Sequence, residues 1–491
     1  MMSNTSSTTD VDAIVVGAGP NGLAAAVTLA RAGLAVRVYE KAATIGGGSR
    51  TAELTLPGFH HDVCSAVHPL ALASGFFRQF ELEKRIELVV PELSFGHPLY
   101  GGRAALAWRD LDRTVDGLGR DGGAYRDLMA PLVEHADRVA QFTGSSLLQV
   151  PRRPLTAAAF GLRALEQGSK LRALRFENED APSLLAGVGA HSIRPMPSVA
   201  ASAAALSLTT YAHARGWPVP VGGSQAIVDA LADDLRAHGG TIVTDAEISS
   251  LDELPPARAV LLDVSPRSLI RIGGDRLPSG YVQRLERFRH GGAVAKVDFA
   301  LSGPVPWSNR ELAGAGTLHL GGTAVEIARA EHDVSAGKHS SNPYVLVAQP
   351  SGLDHTRAPE GKHVLWAYTH VPSGSTLDQA EAVTRQIERF APGFRDLILA
   401  TSSRSAADLE RENPNYVGGD IAGGAASFAQ LLARPVLSAD PWRTPASGIY
   451  LCSASTPPGP GVHGLAGYYA ARSALRHEFG ITAAPSLRLE R

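Results

Sequence analysis

The chain has 491 residues, of which 44% are hydrophobic and 19% charged, with 46 Lys and Arg against 48 Asp and Glu for a formal net charge of -2. This length excludes a small stapled module and fits two intimately packed domains or one large α/β body with a sizeable core. The near-neutral balance gives no long-range field for nucleic acid, and no nucleic-acid partner is expected. Cys64 and Cys452 form no CxxC pair. His60, His61 and His68 lack a cysteine or carboxylate that would complete a ligand set, so neither thiol redox chemistry nor a metal is expected. Met1 to Asp10 is rich in Ser and Thr and lacks the basic and apolar regions of a signal peptide, and no apolar run of about 18 residues occurs. A cytoplasmic protein that does not span a membrane is expected.

Val11 to Val16 predicts a strand, followed by the turn Gly17-Ala18-Gly19-Pro20-Asn21-Gly22, a helix over Leu23 to Ala32 and a second strand over Ala35 to Tyr39. This is a βαβ dinucleotide unit. Gly17 permits the tight turn, Gly19 lets the backbone approach a pyrophosphate, and Gly22 lets the helix pack close to the sheet. The helix N-terminus adds unpaired N–H groups and partial positive charge. Glu40, ending the second strand, is placed to accept hydrogen bonds from ribose hydroxyls.

Glu40-Lys41 and the segment Ile45-Gly46-Gly47-Gly48-Ser49-Arg50-Thr51 resemble FAD-containing amine oxidases and phytoene desaturases. The closer resemblance is to the phytoene dehydrogenase-like oxidoreductases, through Pro57-Gly58-Phe59-His60-His61-Asp62 and Ser65 to Pro69. It implies that the backbone at Gly47 and Gly48 lies against the flavin nucleotide. Amine oxidases carry Arg directly after the glycine pair, whereas this chain has Gly48 there and Arg50 two places on. Arg50 either takes over a phosphate or flavin contact or is a surface residue.

Val221-Gly222-Gly223-Ser224, a helix over Gln225 to His238, a strand over Thr241 to Thr244 and Asp245 to Ile248 resemble the second FAD segment. There the main chain at Ile248 meets the adenine. The strand Gly448 to Cys452, the loop Pro457 to Gly464 and a helix over Leu465 to Phe479 resemble the closing flavin motif. It brings Ser453, Gly461, Val462 and His463 to the ring, with Ser453 where relatives commonly have Gly. His463 either faces the flavin edge or caps the last helix.

The fold expected is α/β, with a Rossmann-type FAD-binding domain discontinuous over 8–75, 215–290 and 440–491. A mixed α+β substrate domain takes 76–214 and 291–439. The first stretch reads as largely helical, including Ala124 to Phe142 and Val199 to Ala214. The second carries strand-like runs at Gly292 to Leu301, Tyr344 to Ala348 and His363 to Thr369, consistent with a sheet that roofs the flavin. On the first of these runs the resemblance implies that Lys296 projects towards flavin N5 through a water. Alternation puts Lys296 and Asp298 on one face, where the plainer reading is a solvent-facing ion pair. In Asn413 to Ile421, residues Asn415, Tyr416 and Asp420 either contact a planar ring or satisfy local backbone groups.

Between Pro151 and Arg175, the residues Arg152, Arg153, Arg163, Lys170, Arg172 and Arg175 stand against one acid, Glu166, and alternate with leucines. This predicts peripheral docking on an anionic membrane, or else a solvated helical face. No second GxGxxG supplies a nicotinamide domain, so oxygen or a quinone is the expected electron acceptor. The resemblance implies an enzyme holding FAD non-covalently and dehydrogenating a mainly apolar organic substrate by hydride transfer, with Lys296, Tyr416 and His463 as candidate catalytic residues. A flavin amine oxidase and a non-enzymatic FAD-binding scaffold are the alternatives.

Overall fold

The computed structural model describes residues 11–489. The expectations for Met1 to Asp10, and the domain start at residue 8, lie outside the described residues. Five short strands form a wholly parallel sheet in the order Ile449–Leu451, Ala259–Leu262, Ala13–Val16, Val36–Tyr39, Thr241–Val243. Three distant stretches of sequence therefore meet in one layer. Ala13–Val16 is buried on both faces, which is why it reads as a continuous apolar run rather than an alternating one. Helices Pro20–Ala30, Gln225–Ala237 and Leu465–Phe479 cover this sheet, and their Ala, Leu and Val side chains form one core with it.

The second layer is a seven-stranded sheet in the order Ile398–Arg404, Ala293–Leu301, His363–Val371, Val345–Ala348, Ala315–Leu320, Leu93–Pro98, Ala104–Trp108. Its pairings are antiparallel except that between Ala315–Leu320 and Leu93–Pro98. Residues 76–214 are largely helical, as expected, and that stretch also contributes the last two strands of this sheet. Leu93–Pro98 is buried at all six positions and so shows no alternation to announce it. Ser94 Oγ donates to the Ala212 carbonyl at 3.0 Å and His97 Nε2 to that of Gly322 at 2.6 Å, while His97 Nδ1 is buried without a partner.

The helical pattern over Ala124 to Phe142 is built as two helices, Gly122–Glu134 and Ala136–Thr143. It breaks at His135, whose φ of -112° and ψ of 29° are not helical. Helices Val199–Ala214 and Leu465–Phe479 have the expected bounds. Among the described residues no helix is long and apolar enough to cross a membrane, and no group of three or more candidate side chains gathers to hold a metal. The three clustered histidines part company: His61 Nε2 meets Thr55 Oγ1 at 2.8 Å, and His68 Nε2 meets Ser224 Oγ at 2.7 Å.

A candidate active site between the two sheets

A cavity of about 1120 Å³ runs from the glycine turn of the first sheet to the inner face of the second. Small-ligand sites take roughly 300–1,000 Å³, so this one has room for more than a single small molecule. Gly17 has φ +102°, which L side chains rarely adopt. A Cβ on Gly19 would lie 2.9 Å from Asp263 Oδ2. Gly22 is off the cavity wall; a Cβ there would overlap the Gly17 carbonyl oxygen, so its absence lets the helix close onto the turn. The Glu40 carboxylate accepts the Ala18 N–H and the Ala42 N–H, each at 2.8 Å, and still faces the cavity. Each of its oxygens keeps a lone pair for a further donor.

Lys41 and Ile248 also line this end, with Lys41 Nζ 3.0 Å from Glu247 Oε1. Gly47, Gly48 and Arg50 line the wall as well. Arg50 is held there by its Nε–H, which donates to the Gly47 carbonyl at 2.9 Å, so it is not a free surface side chain. Asn21 Oδ1 and Ser49 Oγ belong to residues of the same wall and are buried without a partner. A glycine-lined cradle at a helix start and unpaired polar atoms are what a dinucleotide requires. The residues present fit one.

Gly48 is explained by Tyr416. A Cβ at position 48 would overlap the Tyr416 hydroxyl, which reaches the cavity wall from the late polar loop. An Arg in that place would displace the tyrosine. Asn415 braces the cradle instead of facing a ring, since its Oδ1 accepts the Ser265 N–H at 2.7 Å and its Nδ2 donates to the Asp263 carbonyl at 3.0 Å. Asp420 is fully buried and accepts the N–H groups of Gly291 and Ala422.

Ser453, Gly461, Val462 and His463 line the cavity from the loop before the last helix. Of the two roles expected for His463, the structure places it in the capping one. Its Nδ1 accepts the Leu465 N–H at 3.0 Å and its Nε2–H donates to the Gly459 carbonyl at 3.0 Å. Burial depresses its pKa to about 4. A neutral imidazole with both nitrogens occupied is a clasp, its one N–H engaged by the Gly459 carbonyl.

Lys296 is the main correction. It is 2% exposed and absent from the cavity wall. Its Nζ turns onto both carboxylate oxygens of Asp298, which also accepts from Arg404 Nη2 at 2.9 Å. The pair is buried, so the solvent-facing reading is corrected. The cluster lies beside Tyr368 and Trp366, which pair with Lys296 and Asp298 on the neighbouring strand, share their face of the sheet and do line the cavity.

Asp263, directly after strand Ala259–Leu262, escaped the sequence reading. Its signal is positional: it ends its strand as Glu40 ends the neighbouring one. Its Oδ2 accepts the Gly22 N–H at 2.9 Å. Burial pushes its pKa up to about 7; the Gly22 N–H opposes this and the charge of Glu40 adds to it. Affinity for an anionic dinucleotide is therefore expected to fall as pH rises through about 7, by at most about tenfold per unit, because Asp263 ionises beside the diphosphate position. Titration of binding against pH checks this. The slope should vanish in Asp263→Asn, and an unchanged slope in that variant assigns the proton elsewhere.

Fold and cavity define the class, a Rossmann-based oxidoreductase architecture in which a dinucleotide cradle opens onto a substrate chamber. The family model for an NAD(P)-binding Rossmann-like domain matches residues 15–80. Among relatives, the chain is similar to the rat protein named pyridine nucleotide-disulfide oxidoreductase domain-containing protein 2. The two are 28% identical, over 95% of this chain and 94% of the rat protein. A 4,4'-diapolycopen-4-al dehydrogenase from Metabacillus indicus is 30% identical over 25% of each chain. Among solved structures, cyclohexylamine oxidase from Brevibacterium oxydans IH-35A superposes with a TM-score of 0.58 at 18% identity, over 96% of this chain and all of that one. At that identity the likeness speaks for the fold alone.

Proposed function

We propose that the protein is an FAD-dependent oxidoreductase that dehydrogenates a mainly apolar small organic substrate. The observation that carries this is the joining of the glycine cradle to an uncharged chamber. The cavity walls supplied by Ala315–Leu320, Val345–Ala348, His363–Val371, Ala136–Thr143, Pro154–Gln167 and Val199–Ala214 include no Asp, Glu, Lys or Arg among the described residues. A charged substrate would lose its hydration there without a partner. The Rossmann match does not oppose FAD, because residues 15–80 hold the βαβ unit that NAD and FAD sites share.

A bound flavin supplies a two-electron acceptor for a hydride equivalent. The chain's own part is to bind and orient. Gly17, Gly19, Glu40 and Gly47 hold the dinucleotide, and the apolar chamber excludes water. Thr317 Oγ1 and Trp366 Nε1, buried on that wall without partners, give the substrate polar points of attachment. Oxygen or a quinone is the proposed acceptor. The division into a cofactor domain over 8–75, 215–290 and 440–491 and a substrate domain over the rest belongs to the same proposal.

One observation favours the amine oxidase reading. The Trp366 and Tyr368 rings meet edge-on at 5.2 Å on the wall and offer aromatic faces to a cation. The lack of a carboxylate on the six wall elements named above weighs against it, although Glu412 lines the same cavity. Purified protein is expected to be yellow, to release free FAD on denaturation and to bleach when mixed anaerobically with apolar substrates. Bleaching by amines alone transfers the assignment to amine oxidation. A colourless protein removes the FAD proposal, and a flavin that no substrate class reduces leaves the scaffold alternative standing.

A further inference from the structure

Helix Pro154–Gln167 differs from a typical surface helix in being apolar on both its inner and its outer face. Leu155, Ala158, Leu162 and Leu165, spaced three or four apart, face outward, while Phe160 and Ala164 on the other side are buried in the helical core. Seven large apolar side chains between Leu148 and Leu174 are exposed, with Leu155 at 85% and Leu174 at 83%. So much apolar surface in one stretch marks a contact site.

The charges beside it indicate which kind. Arg175 is neutralised by Glu166, and Arg163 is spent on the carbonyls of Leu128, Ala159 and Asp127. Arg152, Arg153 and Lys170 are exposed and form no salt bridge among the described residues. A second copy of this chain would bring the same cations face to face. An anionic lipid surface complements both the cations and the leucines. The cavity also reaches the surface here, because Leu165 and Phe428 lie on its wall and are 55% and 66% exposed.

We infer that residues 148–174, with Phe428, dock on an anionic bilayer so that the cavity opens towards the acyl layer. Entry of an apolar substrate by that route rests on the proposed function; the docking itself does not.

Flotation of the holoprotein with phosphatidylcholine vesicles, with and without phosphatidylglycerol, tests it. Binding to the anionic vesicles at low salt is expected to be at least about tenfold stronger than to the neutral ones and to weaken with salt. Combining Leu155→Ser, Leu162→Ser and Leu174→Ser should cost at least about tenfold in partitioning, with melting temperature and flavin content unchanged. Arg152→Gln with Arg153→Gln should erase most of the anionic preference. Absence of wild-type binding overturns the inference. So does a stable dimer that the triple Ser variant dissociates, which gives the face to a second copy. Flavin release and bleaching are read separately, so failure to dock is distinguishable from failure of the proposed function.

Discussion

Gly19→Val is expected to give a folded protein that purifies without its dinucleotide. Gly19 has φ -74° and ψ 173°, a conformation open to any residue, so the substitution brings no backbone strain. Its effect is steric. The new Cβ would sit 2.9 Å from Asp263 Oδ2, and the branched methyls would fill the cavity in front of helix Pro20–Ala30. A loss of at least about 100-fold in affinity, ~2.7 kcal/mol, is expected, with the melting temperature of the protein stripped of cofactor preserved. Gly22→Val is the contrasting case. Its Cβ would overlap backbone, the Gly17 carbonyl, so stability should fall together with binding. Flavin content and thermal unfolding separate the two, and normal flavin in Gly19→Val would remove the cradle from its assigned place.

The cradle was legible in the sequence because two of its glycines answer a local backbone demand. Gly17 needs a positive φ, and Gly22 needs to have no side chain, whatever lies elsewhere in the chain. The departure at Gly48 could be seen but not explained. Its cause is the Tyr416 hydroxyl, which arrives from a loop far along the chain. Strand Leu93–Pro98 went unread because burial on both faces removes the period-2 signal, leaving a short apolar stretch broken by Gly96, His97 and Pro98. Asp263 and His463 show the limit for polar residues. Their positions along the chain were plain enough, but their roles depend on Gly22, Glu40 and Gly459 in three dimensions.

The same limit produced the expectation for Lys296, whose partner Asp298 is bound by Arg404 from 106 residues away. Asp298→Ala is expected to destabilise the protein by roughly 3–5 kcal/mol, since it strands the buried Lys296, 2% exposed, and leaves Arg404, 8% exposed, with Glu412 as its remaining carboxylate. Lys296→Met should cost much less, because Asp298 keeps Arg404 and the methionine stem fits an apolar neighbourhood beside Trp366. Burial lowers the Lys296 pKa from 10.5 to about 8, against the pull of Asp298. Between those two values the unfolded chain holds the proton that the folded chain has released. The Lys296 contribution to stability therefore rises with pH from about 8 to about 10.5. That rise should be absent in Lys296→Met, as read by denaturant unfolding at several pH values. Flavin content, and the rates of flavin reduction and reoxidation, should stay within about tenfold of wild type in the same variant, a barrier change below about 1.4 kcal/mol. A larger slowing at unchanged stability would return Lys296 to the flavin. An Asp298→Ala protein as stable as wild type would show that the cluster is open to water.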